Sequence, residues 1–190
     1  MAAGSKAEKV RPKLNERELY EYAVKALGRH MRTEMELRRL MQRRAEFGEP
    51  GEAAIASVVK RLKEYGFLND AVYAETYARL RQQNDKLGAR RVRNDLQQKG
   101  VKAELIQSTV DARYGETDEE TLARQHLERK RIKKPENERE TARVVRRLVG
   151  AGFKTGTIFK ILRTWDVPEE SLAALDNLAA DDPDERFREE

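Results

Sequence analysis

The sequence lacks cysteine altogether, and its 190 residues include only two histidines, five prolines and one tryptophan. Without cysteine the chain can form no disulfide and offers no thiolate as a nucleophile or metal ligand. Aromatic residues make up 6% and apolar residues 38% of the chain, which favours a thin helical structure over a thick core. No run approaches the ~20 apolar residues of a membrane span, and the first residues lack the apolar segment of a secretory signal. We therefore expect a cytoplasmic protein that does not enter a membrane.

The side chains that usually carry catalysis or bind metals are also scarce. His30 and His126 are far apart in the sequence, and neither has a second histidine or an aspartate at the spacing of a metal site. No serine lies in a nucleophile turn. Many carboxylates lie three or four residues from a basic residue, as Glu120 does from Arg124, and such pairs are ordinary on helix surfaces. We predict neither an enzyme nor a bound metal or cofactor.

One glycine-rich stretch, LVGAGFKTGTIF at 148–159, could be taken for a phosphate-binding loop. Such a loop needs the order Gly-x-x-x-x-Gly-Lys-Ser/Thr directly after a buried strand. Here the lysine and threonine come before the last glycine, and the charged, helix-forming segment ARVVRRLV precedes the loop. The stretch is therefore interpreted as a turn between two helices.

Charge is abundant and unevenly distributed along the chain. Charged residues make up 38% of the sequence, and the formal net charge is +5. Residues 166–190 contain ten acidic residues and two arginines, whereas the rest contains 37 basic and 24 acidic residues. A basic body followed by an acidic tail predicts a partner of negative charge, such as nucleic acid or an acidic protein surface.

Apolar residues recur at helical spacing almost throughout, and no stretch alternates as a strand would. The pattern predicts nine helices, at about 15–28, 33–46, 51–65, 70–84, 88–99, 102–113, 118–131, 136–150 and 155–165. Thr33 and Thr117 each stand three residues before a glutamate, as in a capping box, and Asn69 and Thr155 are further N-cap candidates. Glycines in the left-handed conformation are predicted to end helices at Gly28, Gly48, Gly66, Gly100, Gly115 and Gly152.

A helix–glycine–helix pattern occurs three times. In each copy a leucine precedes a glycine by four residues, an apolar residue follows the glycine, and another apolar residue stands six positions beyond it. The copies are Leu62, Gly66, Phe67 and Val72; Leu96, Gly100, Val101 and Ile106; and Leu148, Gly152, Phe153 and Ile158. The residue after each glycine can fold back against the leucine in a Schellman-type closure.

These copies predict an all-α fold, an elongated and curved array of three tandem three-helix repeats. The repeats would occupy 14–66, 67–115 and 116–165, between a flexible segment at 1–13 and the acidic tail at 166–190. Most aromatic residues fall on the apolar helix faces, where they are interpreted as core rather than as platforms for stacking bases.

Clusters of basic residues recur in each predicted repeat and are the candidate binding site. Arginine dominates the first two clusters, which suits pairing with phosphate or carboxylate groups. The candidate contacts to an acidic partner are Arg38, Arg39, Arg43, Arg81, Arg90, Arg91, Arg93, Lys130, Arg131 and Lys134.

Several of these segments together resemble the RecX family of recombinase regulators. The similarity lies in ALGRHMRTEMELRRLM (26–41), VVKRLKEYGFLNDAVYAETYARLR (58–81), LGARRVRNDLQQKGVKAELI (87–106) and ARVVRRLVGAGFKTGTIFKIL (142–162). The sequence GFLND at 66–70, with Tyr73 and Tyr77 after it, is the most specific part. Thr33 stands where the family often has serine, and EFGEPGEA at 46–53 is a longer turn than many members carry.

The resemblance implies a regulator that binds the RecA recombinase filament on single-stranded DNA, and we expect the protein to be a monomer. It implies inhibition of the ATPase, strand-exchange and co-protease activities of RecA, and so a role in DNA repair, homologous recombination and the SOS response. Insertion into the filament groove and blocking of a filament end are both open. Contacts to single- or double-stranded DNA would add to those with RecA.

Two other functions are compatible with a basic helical protein. A stand-alone DNA-binding protein would place a helix such as the one after Gly100 in the major groove, with polar side chains early on it. That helix offers only Lys102, Glu104 and Gln107, with apolar residues between them. So few polar side chains are poorly suited to contacting base edges. A scaffold that binds another acidic protein is the third alternative.

Overall fold

The computed structural model describes residues 12–168, and over this range the chain is all-α. Its helices are α1 (Glu16–Arg29), α2 (Glu34–Gln42), α3 (Glu49–Glu64), α4 (Asp70–Gln83), α5 (Ala89–Gln98), α6 (Ala103–Tyr114), α7 (Glu119–Arg129), α8 (Glu138–Gly150) and α9 (Thr155–Thr164). The predicted all-α class is thereby confirmed, and each predicted helix has its counterpart. The flexible segment predicted at 1–13 and the acidic tail predicted at 166–190 lie almost entirely outside the described residues.

The helix α2 ends at Gln42, four residues before the predicted boundary. The chain after it turns away because Leu14 and Ala45 form an isolated bridge, in which the Leu14 N–H donates to the Arg44 carbonyl at 2.8 Å. Ala45 is buried in the core. Gly48, predicted to end α2, instead stands at the N-cap of α3 with φ of 76°.

Two predicted N-caps are present and two are wrong. Thr33 forms the predicted capping box with Glu36, and the Asn69 side chain accepts from the Ala71 and Val72 N–H groups at the start of α4. At α7 the cap is Asp118 rather than Thr117. A carboxylate is a stronger acceptor at the positive end of a helix, and the Thr117 hydroxyl instead donates to the Arg113 carbonyl at 3.2 Å.

The start of α9 is held by a residue of another helix. Thr155, predicted as its N-cap, is the first residue of α9, and the cap position belongs to Lys154. The Glu119 carboxylate of α7 accepts from the Lys154 N–H at 3.1 Å and from the Thr157 hydroxyl at 2.7 Å. A tertiary contact therefore replaces the local cap.

The predicted Schellman closure occurs at Gly66 and at Gly152. The N–H after each glycine donates to the carbonyl of the leucine, from Phe67 to Leu62 at 2.9 Å and from Phe153 to Leu148 at 3.2 Å. Both glycines have positive φ, 72° and 88° respectively, as does Gly100 at 75°. The prediction is wrong for Gly28, which lies inside α1. At Gly115 the helix α6 does end, at Tyr114, but the predicted left-handed conformation is wrong because this glycine has no positive φ.

In the first copy of the repeated turn, the residue directly after the glycine is exposed, whereas in the other two copies it is buried. Phe153 is 1% exposed and Val101 5%, as predicted, but Phe67 is 56% exposed. Leu68 takes the buried place, and its N–H also lies 3.2 Å from the Leu62 carbonyl. Val72, the apolar residue six positions after Gly66, is likewise exposed.

The described chain divides into two compact units. The first contains the described part of Met1–Tyr73 together with Lys99–Lys102, and its core is formed where α1, α2 and α3 pack on one another. The second contains Ala74–Gln98 and the described residues from Ala103 onward, and its core lies between α7, α8 and α9. The division into three repeats stays a prediction.

Candidate basic interface

Three of the ten candidate residues belong to the first unit, Arg38, Arg39 and Arg43. Arg38 forms an ion pair with Glu34, since its Nε lies 2.8 Å from Glu34 Oε1. Lys63 pairs with the same carboxylate. Burial alone would raise the pKa of Glu34, but the hydrogen bonds from Lys63 and Arg38 hold it below its usual value.

A polar network missed by the sequence analysis joins α2 to the segment before Gly100. The Thr33 hydroxyl is buried and donates to the Lys99 carbonyl at 2.6 Å, while Lys99 Nζ lies 2.8 Å from Glu36 Oε1. Burial acts to lower the pKa of Lys99, but its bond to Glu36 prevails and raises it. Asp70 accepts the Glu34 N–H at 2.9 Å, and burial raises the pKa of this carboxyl group. These contacts connect α2 with Lys99 and with the start of α4.

In the second unit, two candidate arginines are paired with aspartates one helical turn away. Arg81 lies 2.7 Å from Asp85 and 4.8 Å from the centre of the Tyr77 ring. Arg91 lies 3.0 Å from Asp95, whose carboxylate also accepts the Tyr77 hydroxyl at 2.9 Å. Their side chains remain 41% and 51% exposed, so both can still reach a partner.

The remaining candidates differ in exposure. Arg39, Arg43, Lys130 and Arg131 are exposed and form no ion pair with another described residue. Arg90 and Arg93 are half-buried on α5, and both take part in further interactions. Lys134 Nζ lies 3.6 Å from Asp166 Oδ2. The structure thus separates candidates that already form an ion pair, such as Arg38, from exposed candidates that form none within 12–168.

The helix α8 carries arginines that the sequence analysis did not include. Its buried face holds Thr141, Val144, Val145 and Leu148, so the opposite face is exposed. That exposed face presents Arg139, Arg143, Arg146 and Arg147, and none of them forms an ion pair with a described residue. The helical spacing of the valines and Leu148 could have indicated this face, because it fixes which side of α8 points outward.

Two of the candidate residues, Arg131 and Lys134, line a cleft together with arginines of α8. A cavity of about 370 Å³ lies here, and we call it the basic cleft. The cationic residues that line it are Arg131, Lys133, Lys134, Arg143 and Arg147. Glu136 and Glu140 also line it, and the Glu140 carboxylate accepts the Glu136 N–H at 3.0 Å. Cations therefore outnumber anions in a concave surface, which suits a ligand with several negative charges.

His126 is buried in the second unit, where its contacts are those of a core residue. Its Nδ1 lies 3.1 Å from the Asp85 carbonyl, and its ring meets the edge of Phe153 at 5.7 Å between centres. Burial lowers the pKa of His126 although the carbonyl contact acts to raise it. Within 12–168, no group of three or more acidic or histidine side chains is placed to hold a metal, and no helix is long and apolar enough to cross a membrane.

Comparison with known sequences identifies relatives over most of the chain. A profile described as RecX, second three-helix domain, matches residues 69–110. The regulatory protein RecX of Mycolicibacterium vanbaalenii is 33% identical over 79% of this chain and 80% of its own length. That of Mycolicibacterium smegmatis is 33% identical over 85% and 84%, respectively. That of Deinococcus radiodurans is 36% identical over 58% of this chain, which spans only 52% of that relative.

Solved structures support the same fold. A crystal structure of regulatory protein RecX superposes with a TM-score of 0.63 at 20% identity, covering 78% of this chain and 71% of that one. The RecX structure from Lactobacillus salivarius gives a TM-score of 0.59 at 20% identity, covering 80% and 96%. Since the two Mycolicibacterium relatives align over most of both sequences, the chain belongs to the RecX family of regulatory proteins.

Proposed function

We propose that this protein is a negative regulator of the RecA recombinase. It binds the filament that RecA forms on single-stranded DNA and inhibits the ATPase, strand-exchange and co-protease activities of RecA. The observation that carries this proposal is the alignment with RecX regulators over about four fifths of the chain. The working form is expected to be a monomer in the cytoplasm.

The exposed basic side chains are suited to such a filament. Arginine pairs with carboxylates and phosphates through two parallel hydrogen bonds, so the same surface can contact acidic residues of the recombinase and the DNA backbone. Contacts to phosphates weaken steeply with salt, whereas complementary charge on a protein partner mainly increases the rate of association. Arg39, Arg43, Lys130 and Arg131 are the best placed of the ten candidates because they are exposed and form no ion pair with another described residue.

A filament offers repeated binding sites, so several weak contacts can act together. When one surface is bound, the next binds at a high effective concentration, and the affinities of individual contacts combine. This applies equally to insertion in the groove and to blocking of an end. The two modes differ in stoichiometry, because one protein at an end is enough to stop growth.

The ATPase rate of RecA on single-stranded DNA, titrated with this protein, tests the proposal. We expect inhibition together with weak binding to DNA alone. Inhibition at far less than one protein per RecA subunit would favour end blocking, and inhibition near stoichiometry would favour the groove. No inhibition combined with tight binding to duplex DNA would contradict the proposal and support the stand-alone DNA-binding alternative.

A charge-reversal pair tests the assigned surface. Arg39→Glu with Arg43→Glu should weaken inhibition, because the charge of two exposed cations that form no ion pair within 12–168 is reversed. The matched control is Lys25→Glu with Arg29→Glu on α1 of the same unit, because these side chains are also exposed and form no ion pair within 12–168. Equal inhibition by both double variants would refute a specific role for the α2 arginines.

A further inference from the structure

The described chain ends beside the basic cleft. Asp166 lies 3.6 Å from Lys134, and the N–H of the buried Val167 donates to the Leu162 carbonyl at 3.3 Å. Pro168 lines a cavity of about 530 Å³ together with Lys134, which also lines the basic cleft. The last described residue, Pro168, therefore lies next to a residue of this cleft.

The charges of the following segment and of the cleft are complementary. Residues 169–190 contain nine acidic residues and two arginines. Lys133, Arg143 and Arg147 of the cleft are exposed and form no ion pair within 12–168. The first acidic residue after α9, Asp166, already pairs with a cation of the cleft.

The length of the segment allows it to reach every cation of the cleft. Twenty-two extended residues span up to about 75 Å at ~3.4 Å per residue, which exceeds the ~20 Å length of α8. A ligand tethered by a short flexible chain has an effective concentration in about the millimolar range. Individually weak ion pairs at the surface can then hold the segment in place.

We propose that residues 169–190 bind in the basic cleft of the same molecule and compete there with polyanionic ligands. The cleft is thereby screened until a ligand with denser negative charge, such as a nucleic-acid backbone, displaces the segment. This contact is a property of the free protein and does not depend on its action on RecA.

A paramagnetic label observes the contact directly, and the absence of cysteine makes Ala180→Cys a single labelling site. With a nitroxide at this position, we expect faster amide relaxation in α8 and in the 131–134 loop than in α1, measured by NMR on the full chain. The difference should vanish at about 1 M salt, where the Debye length is only about 3 Å. Equal relaxation in α8 and α1 at low salt would overturn the proposal.

A binding cycle distinguishes the cleft from a general effect of net charge. The neutralised variant carries Asp181→Asn, Asp182→Asn, Asp184→Asn and Glu185→Gln, and its control carries Ser171→Ala and Asn177→Ala. If the segment occupies the cleft about 90% of the time, neutralisation should tighten binding of a fluorescent oligothymidylate about tenfold at low salt. The control should not change this affinity.

The same neutralisation is then repeated with Arg143→Glu and Arg147→Glu, both on the exposed face of α8. We expect the tightening to disappear in this background, because the segment has lost its site. Tightening that persists unchanged would show a long-range charge effect and refute docking in the cleft. Loss of RecA inhibition by any variant does not affect this test, since oligothymidylate is the only ligand.

Discussion

Replacement of Gly152 by alanine should destabilise the second unit. The loss should be larger than for the same replacement at a turn glycine that has no atom near its Cβ position. A Cβ at Gly152 would lie 2.2 Å from the Arg91 backbone nitrogen and 2.9 Å from its Cα, and φ there is +88°. Neither atom of α5 belongs to a flexible side chain, so the helix itself would have to move. The substitution therefore combines a strained backbone with a steric conflict.

The magnitude follows from three contributions. A left-handed residue costs about 1–2 kcal/mol once it has a Cβ, and overpacking costs about 1–3 kcal/mol. Replacing glycine reduces the entropy of the unfolded chain, which returns about 0.4–1 kcal/mol. The net loss in the free energy of unfolding should be about 3 kcal/mol, which corresponds to roughly 6–12 °C in Tm for a chain of this size.

Two further alanine variants separate these contributions. Gly66 has φ of +72° but nothing within 4 Å of its Cβ position, so Gly66→Ala should show the backbone strain alone, about 1 kcal/mol. Gly150 is helical with open space, so Gly150→Ala should stabilise by about 0.5–1 kcal/mol. Urea denaturation followed by circular dichroism measures all three. If Gly152→Ala costs no more than Gly66→Ala, the close approach of α5 to the turn is refuted.

Three other predictions concern polar groups. Thr33→Ala should lower the free energy of unfolding by about 2–4 kcal/mol in urea titrations, because it removes the α2 cap and leaves the Lys99 carbonyl without its donor. Thr33→Ser should restore most of this stability, and failure to do so would assign the loss to the methyl group. Because burial lowers the pKa of His126, the unfolded chain binds its proton more readily. The stabilisation that neutral His126 contributes should be complete above the pKa of the unfolded chain, about 6.5. It should decrease as the pH falls through the lower pKa of the folded protein. His126→Gln should flatten the pH dependence of urea midpoints between about pH 7.5 and 5, and an unchanged slope would contradict the assignment. Asp118→Ala should lower the urea midpoint by removing the α7 cap, and Thr117→Ala should lower it less; a larger effect of Thr117→Ala would contradict the assigned cap.

The helices could be predicted from sequence because their apolar spacing and end residues act locally. Leu148, Gly152 and Phe153 determine a Schellman closure within six residues, so no tertiary information is needed. Pairs one helical turn apart, such as Arg81 with Asp85, follow the same local rule. The all-α class depended only on such patterns.

Features that depend on distant residues could not be predicted. Lys99 meets Glu36 only because the chain returns to α2, and no spacing rule relates the two positions. The choice between Phe67 and Leu68 as the buried residue depends on the direction of the chain after Gly66. In the candidate site, the composition indicated basic clusters but not which arginines already have acidic neighbours.

The contact between Glu119 and the start of α9 has a consequence for the order of folding. The first turn of α9 has no side-chain cap of its own and depends on a carboxylate from α7. A helix of ten residues is marginal in isolation, so this turn should form only when α7 has docked. Hydrogen exchange at the Lys154 amide would then report the assembly of two helices rather than the fraying of one, and it should share its opening free energy with the amides of α7.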